Sequence, residues 1–121
     1  MSKRILVVED HEDNRQILRD MLGNAGYHMI EAETGEAGLA AAAAERPDLI
    51  LMDIQLPGLD GYEATRRLKA DPALRAIPII VVTSYALSGD EAKARAAGCD
   101  DYVTKPFSPR QLLAKIKEYL R

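Results

Sequence analysis

Short apolar runs alternate along the chain with segments whose apolar positions recur at helical spacing. Three runs, Ile5-Leu6-Val7-Val8, Leu49-Ile50-Leu51-Met52 and Ile79-Ile80-Val81-Val82, are continuous and rich in branched side chains, the pattern of strands covered on both faces. Two weaker runs, residues 27–31 and 101–104, mix polar residues in and predict edge strands. Ile17, Leu18, Met21 and Leu22 form one helical stripe, and Leu112, Leu113, Ile116 and Leu120 form another. Punctuation agrees with this division. Asp60 with Glu63, and Ser88 with Glu91, read as capping boxes. Ser108-Pro109 with Gln111 reads as a helix start, and Gly26 and Gly98 suit helix ends. The alanines at 40–44, after Thr34-Gly35-Glu36, read as helix by propensity.

The pattern predicts an α/β fold, (βα)5, with parallel strands and right-handed crossovers. The three fully apolar strands belong in the centre and the two mixed ones at the edges. The doubly wound, flavodoxin-like order 2-1-3-4-5 places them so. In that order the chain reverses direction between strands one and three, and ligands of such sheets bind beyond the carboxyl ends of the strands at that point.

The carboxyl ends carry the chemistry. Strand one ends in Glu9-Asp10, strand three in Asp53, strand four in Thr83-Ser84 and strand five in Lys105-Pro106. Any one of these alone reads as a turn residue, filler or a solvated cation. The joint placement at one sheet edge points to a site. Three converging carboxylates take up a proton or bind a cation, and a hard divalent cation with oxygen ligands, Mg²⁺, is the economical choice. Such an ion usually also holds phosphate oxygens, and an aspartate can act as a nucleophile toward a phosphoryl group. Asp53 suits the nucleophile because a buried strand fixes it. Asp10 suits direct metal binding and Glu9 binding through water, while Lys105 and Thr83 suit phosphoryl oxygens.

Composition sharpens this picture. The chain has 121 residues, 47% of them hydrophobic and 29% charged, an ordinary single-domain balance. The net charge of −3 excludes a broadly basic nucleic-acid binder. Residues 1–61 hold 12 acids and five bases, whereas residues 62–121 hold seven acids and 11 bases, so the acidic excess lies with the first strands. A lone cysteine, Cys99, excludes an internal disulfide framework and reads as a small apolar residue at a strand start. No apolar run approaches the roughly 20 residues of a membrane span and no signal peptide is legible, so a cytoplasmic protein without membrane insertion is expected.

On these residues the sequence resembles a response regulator receiver domain (CheY-like superfamily) of the single-domain type, and the likeness covers residues 1–121. It rests on Glu9-Asp10, on Leu51-Met52-Asp53-Ile54-Gln55-Leu56-Pro57-Gly58-Leu59-Asp60-Gly61, on Val82-Thr83-Ser84 and on Tyr102-Val103-Thr104-Lys105-Pro106-Phe107. The first acid is Glu9 where Asp is commoner, and Ser84 stands where Ala is frequent. The resemblance implies that Asp53 accepts a phosphoryl group from a phosphohistidine on a histidine kinase or histidine phosphotransferase. It implies Mg²⁺ held by Asp10, Asp53, the backbone carbonyl of Gln55 and a water on Glu9. Thr83 and Tyr102 would form the conformational switch that selects a downstream effector protein. Gln55 and Tyr85 would flank the attacking water in hydrolysis, and Lys105-Pro106 would be a cis peptide. Such a protein catalyses only its own phosphorylation and dephosphorylation. The last stripe, running to Leu120, leaves no output domain and no direct nucleic-acid contact to expect.

Rival readings are weaker. A dehalogenase-like hydrolase usually wants a second acid two residues after the nucleophile, where Gln55 stands. A flavodoxin-like carrier would need a phosphate loop where Glu9-Asp10-His11-Glu12-Asp13 would repel one. A phosphate-independent pseudo-receiver would not need the complete site. His11 reads as a solvated loop residue and His28 as a structural residue of an edge strand. Arg66, Arg67, Lys69 and Arg75 read as a solvated helix face, and Gly58 and Gly61 as loop and turn residues.

Overall fold

The computed structural model describes residues 2–83 and 90–120. The chain runs β1 (Arg4–Val8), α1 (Glu12–Asn24), β2 (His28–Ala32), α2 (Gly35–Glu45), β3 (Leu49–Asp53), α3 (Gly61–Ala70), β4 (Ile79–Thr83), α4 (Asp90–Ala96), β5 (Asp101–Thr104) and α5 (Pro109–Tyr119). The sheet is parallel, in the order β2-β1-β3-β4-β5. The (βα)5 doubly wound architecture is the one the apolar pattern demands.

Alternation along each strand divides the core between two faces. Leu6, Val8, Ile50, Met52, Ile79 and Val81 join one buried cluster, with residues of α2, α3 and α4. Ile5, Val7, Leu49, Leu51, Ile80 and Val82 join the other, with Leu18 and Leu22 of α1 and Leu112 and Ile116 of α5. Central strands are therefore apolar on both faces along their interiors, while β2 and β5 are partly exposed and tolerate polar residues.

Three details differ from the sequence reading. β2 begins one residue later, because the Tyr27 N–H already donates to the Leu22 carbonyl at the end of α1 (2.9 Å). Ile17 is not part of the buried stripe of α1. Arg15, Leu18 and Leu22 occupy the inner face, and Ile17, a step of about 100° from Leu18, is 54% exposed. Asp60 caps α3 by accepting from the Glu63 N–H (2.9 Å), but the Glu63 carboxylate pairs with Arg66 and Arg67. The Ser108 cap accepts from Gln111 at 3.4 Å. The proposed Ser88 cap, Ser84 and Tyr85 lie outside the described residues. Gly26 and Gly98 take positive φ, 89° and 106°, as chain reversals after helices require. Cys99 is buried just before β5, and burial pushes its thiol up to about 11. Lys105–Pro106 is cis.

Candidate functional site

Parallel strands present all their carboxyl ends on one edge, and the register lines them up. Val8 is level with Met52, Asp53 with Val82, and Thr83 with Thr104. The residues that follow or end β1, β3, β4 and β5 are therefore neighbours.

Glu9 and Asp53 are both buried, and Lys105 joins them. Its Nζ donates to Glu9 Oε1 at 2.6 Å and to Asp53 Oδ2 at 3.2 Å. The Asn14 amide also donates to Glu9 Oε1 (3.2 Å), and the His11 N–H donates to Glu9 Oε2 (3.0 Å). Asp53 Oδ1 accepts from the Gln55 N–H (3.1 Å). Gly61 lets the β3–α3 loop close over this strand end: a Cβ there would come within 2.1 Å of the Asp53 carbonyl oxygen.

Two carboxylates and one ammonium leave a net negative charge in a buried place. Burial and the Glu9 charge push the Asp53 carboxyl up to about 6, against the pull of Lys105. Burial acts on Glu9 as well, but the bonds from Lys105 and the His11 N–H outweigh it and hold Glu9 down at about 2. Burial opposes the charge on Lys105, but the hydrogen bond it donates to Glu9 and the nearby Asp53 charge outweigh burial and raise the ammonium. The proton that the pair takes up is thus favoured on Asp53.

Asp10 is half-buried, and its Oδ1 is shielded from solvent while accepting no hydrogen bond. Thr83 is wholly buried, and its carbonyl accepts the Lys105 N–H at 2.6 Å. Tyr102 is half-buried on β5, level with Val81, and packs on the first core cluster. Gln55 is exposed just past Asp53. Glu9, Asp53 and Lys105 are thereby brought into direct contact, while Thr83 joins them through the backbone.

Two residues carry more than their sequence reading. Arg15 is buried and donates to the Glu9 carbonyl (2.8 Å), Glu12 (2.6 Å), Glu31 (3.2 Å) and Glu33 (3.1 Å). An arginine in the helical stripe with Leu18 and Leu22 was the available signal. His11, exposed as expected, turns its ring onto the acidic pair instead of capping α1. His28 is exposed on β2.

The family model for the response regulator receiver domain matches residues 5–117. The chain belongs to that family. This receiver domain is 46% identical over 120 residues to the polar-differentiation response regulator DivK of Brucella anthropi, covering 99% of this chain and 98% of that one. It is 38% identical, with a TM-score of 0.92 and 99% and 98% of the two chains covered, to the receiver domain of a Pseudomonas aeruginosa sensor histidine kinase whose structure has a magnesium ion in the active site cleft. Chemotaxis protein CheY4 of Vibrio cholerae superposes with a TM-score of 0.91 at 27% identity, over 98% of this chain and 99% of its own. Receiver domains are signalling modules of two-component systems, and the carboxylates at this sheet edge fit a phosphoacceptor. No helix among the described residues is long and apolar enough to cross a membrane.

Proposed function

We propose that Asp53 accepts a phosphoryl group from the phosphohistidine of a histidine kinase or histidine phosphotransferase. The observation that carries this is the placement of Asp53 at the end of β3, with one oxygen on the Gln55 N–H and the other on Lys105. Asp53 attacks phosphorus as the carboxylate; the new P–O bond forms as the P–N bond to the donor imidazole breaks, and the imidazole leaves. Lys105 meets the developing charge, and the hydroxyl of Thr83 donates to a phosphoryl oxygen. Phosphoryl transfer asks for this kind of positioning and charge neutralisation.

The site also suits a hard cation. The donors are carboxylates, and the buried Asp10 Oδ1 has no hydrogen bond to satisfy it. Asp10, Asp53 and the Gln55 carbonyl would hold Mg²⁺, with Glu9 acting through water. A cation there supplies neutralisation of phosphoryl oxygens. Gln55 and Tyr85 set the lifetime of the acyl phosphate, and the chain catalyses only its own phosphorylation and dephosphorylation. Thr83 and Tyr102 pass the change to a downstream effector. The donor approaches over Ile17, exposed beside a groove lined by Asn14, Lys105, Pro106, Phe107 and Pro109.

The test is incubation with a small acyl phosphate and Mg²⁺, read by intact mass. Wild type gains one phosphoryl group and Asp53→Asn gains none. Equal gain in the variant ends this assignment, and no gain in wild type leaves a phosphate-independent interaction module.

A further inference from the structure

The loop that leads away from Asp53 is pinned at both ends. The Leu56 and Gly61 N–H groups both donate to the Ile54 carbonyl, at 3.1 and 2.9 Å, and Ile54 and Leu56 are buried. Between these anchors, residues 57–60 are exposed apart from the half-buried Leu59. Support for this middle stretch comes from another element, the first turn of α2.

Gly35 is the first residue of α2 and is buried against Leu59. A Cβ on Gly35 would stand 2.4 Å from the Leu59 carbonyl oxygen and 3.1 Å from the Leu59 Cβ. The preceding loop residue meets the same turn: a Cβ on Gly58 would stand 3.1 Å from Glu36 Oε2. The helix is held in place where it makes these contacts. Thr34 caps it by accepting from the Ala37 N–H (3.0 Å). Gly38 seats it on the sheet, where a Cβ would stand 2.8 Å from Val8 Cγ2. A methyl group at position 35 therefore moves the loop and not the helix. It pushes the Leu59 carbonyl from 2.4 Å out to at least the 3.4 Å of ordinary contact, a displacement of about 1 Å. Two residues on, Gly61 is already tight against the Asp53 carbonyl oxygen, so the displacement is passed to the strand end.

We propose that Gly35 is a positioning residue of the acceptor site. The first turn of α2 is the stop on which the loop after Asp53 closes, and it keeps the Gln55 N–H and the Asp53 carboxylate aligned for attack on phosphorus. The inference rests on the reading of Asp53 as the acceptor. Gly35 touches no reacting atom and acts through Leu59.

The test follows labelling of Gly35→Ala by a small acyl phosphate with Mg²⁺, read by intact mass across donor concentrations, under conditions where urea denaturation shows the variant folded. The saturating rate falls about tenfold to a hundredfold, the cost of misplacing groups by about 1 Å, while the half-saturating donor concentration stays within about twofold. Hydrogen exchange at the Gln55 and Gly61 N–H groups quickens by more than that of α5 amides. Ile116→Val, a change buried in the cluster on the other face of the sheet, lowers stability and labels at the wild-type rate. A wild-type rate in Gly35→Ala, loop amides no more labile than those of α5, or equal slowing in Ile116→Val would each overturn the proposal. If Gly35→Ala does not fold, Leu59→Ala loosens the same contact without overlap: slowed labelling upholds the stop, and a wild-type rate overturns it. A wild type that takes no phosphoryl group overturns the acceptor reading and this inference with it, whereas a labelled wild type beside an equally fast Gly35→Ala overturns this inference alone.

Discussion

Lys105 Nζ is closer to Glu9 than to Asp53, 2.6 Å against 3.2 Å. The ammonium is therefore anchored on Glu9 and leans on Asp53, the acid proposed to react. Removing it leaves two buried carboxylates facing each other. Lys105→Met should destabilise the metal-free fold by about 3–5 kcal/mol, the usual cost of breaking a buried pair from one side. Added Mg²⁺ should return part of that loss. Urea denaturation with and without Mg²⁺ measures both, and a variant as stable as wild type in chelator would show the pair to be idle.

Asp53 gives the site a pH signature. Its carboxyl is raised in the fold to about 6 from 3.8, so the folded state holds a proton that the unfolded chain has released. That difference penalises folding fully above about pH 6 and vanishes below about pH 4. Asp53→Asn removes the penalty. In chelator it should be more stable than wild type at pH 7.5, by up to roughly 3 kcal/mol at 1.36 kcal/mol per pKa unit, with the advantage fading on acidification through that window. Glu9 works in the opposite sense: held down at about 2, it stabilises above its unfolded value of 4.5, and that contribution goes as pH falls toward 2. A constant difference between wild type and Asp53→Asn from pH 4 to 7.5 would contradict the assignment.

The sheet order was legible because β1, β3 and β4 are apolar without interruption and β2 and β5 are not. The site was legible because parallel strands collect their ends, so Glu9, Asp53, Thr83 and Lys105 had to share an edge. What was not legible lay in side-chain direction. Glu9 and Lys105 touch although 96 residues separate them, and no periodicity reports that bond. Ile17 sat in an apparent stripe but points outward, since helix rotation relative to the sheet is set by the packing of Leu18 and Leu22. His11 was read as a solvated loop residue because adjacency to Glu9 and Asp10 does not say which way its ring turns, and Arg15 was passed over because its partners on and after β2, Glu31 and Glu33, are distant along the chain.

Arg15 ties those partners together. It holds the Glu9 carbonyl and reaches Glu12, Glu31 and Glu33. Arg15→Met keeps the stem and removes the bonds. It should cost about 2–4 kcal/mol, from one buried carbonyl left without its donor and the loss of charged hydrogen bonds. It should also weaken Mg²⁺ binding severalfold, because the Glu9-Asp10 backbone loses its tether. Chemical denaturation and Mg²⁺ titration on the same sample check this, and an unmoved Mg²⁺ affinity would confine Arg15 to stability.

Ile17 offers a separation of docking from chemistry. Among the described residues it is the large hydrophobic side chain left exposed, and it borders the groove beside Lys105. Ile17→Asp should slow transfer from a phosphorylated histidine protein about tenfold or more, as loss of an interface anchor of more than about 1 kcal/mol does. Labelling by a small acyl phosphate should be unchanged. Equal slowing of both reactions would place Ile17 in the site and not in docking.

The backbone bond between Lys105 and Thr83, 2.6 Å from N–H to carbonyl, ties together the two residues proposed to face the phosphoryl group. Phosphorylation adds about −1.5 to −2 of charge at Asp53. Lys105 and Thr83 can each direct a charge-assisted hydrogen bond to it, worth roughly 1.5–3 kcal/mol. The two together reach about 3–6 kcal/mol, whereas taking a switch from 1:99 to 99:1 requires about 5.5 kcal/mol. Both contacts are needed, and neither suffices. If β4 shifts at Thr83 on phosphorylation, its neighbour β5, where Tyr102 lies level with Val81 and packs against the core, would feel it, and the surface around β5 and α5 would be the one to change. Thr83→Ala should still take a phosphoryl group at Asp53, yet lose much of the phosphorylation-dependent gain in effector affinity. Calorimetric titration of an effector with the free and phosphorylated forms decides it: a full gain in Thr83→Ala would mean that the signal leaves the site through Lys105 alone.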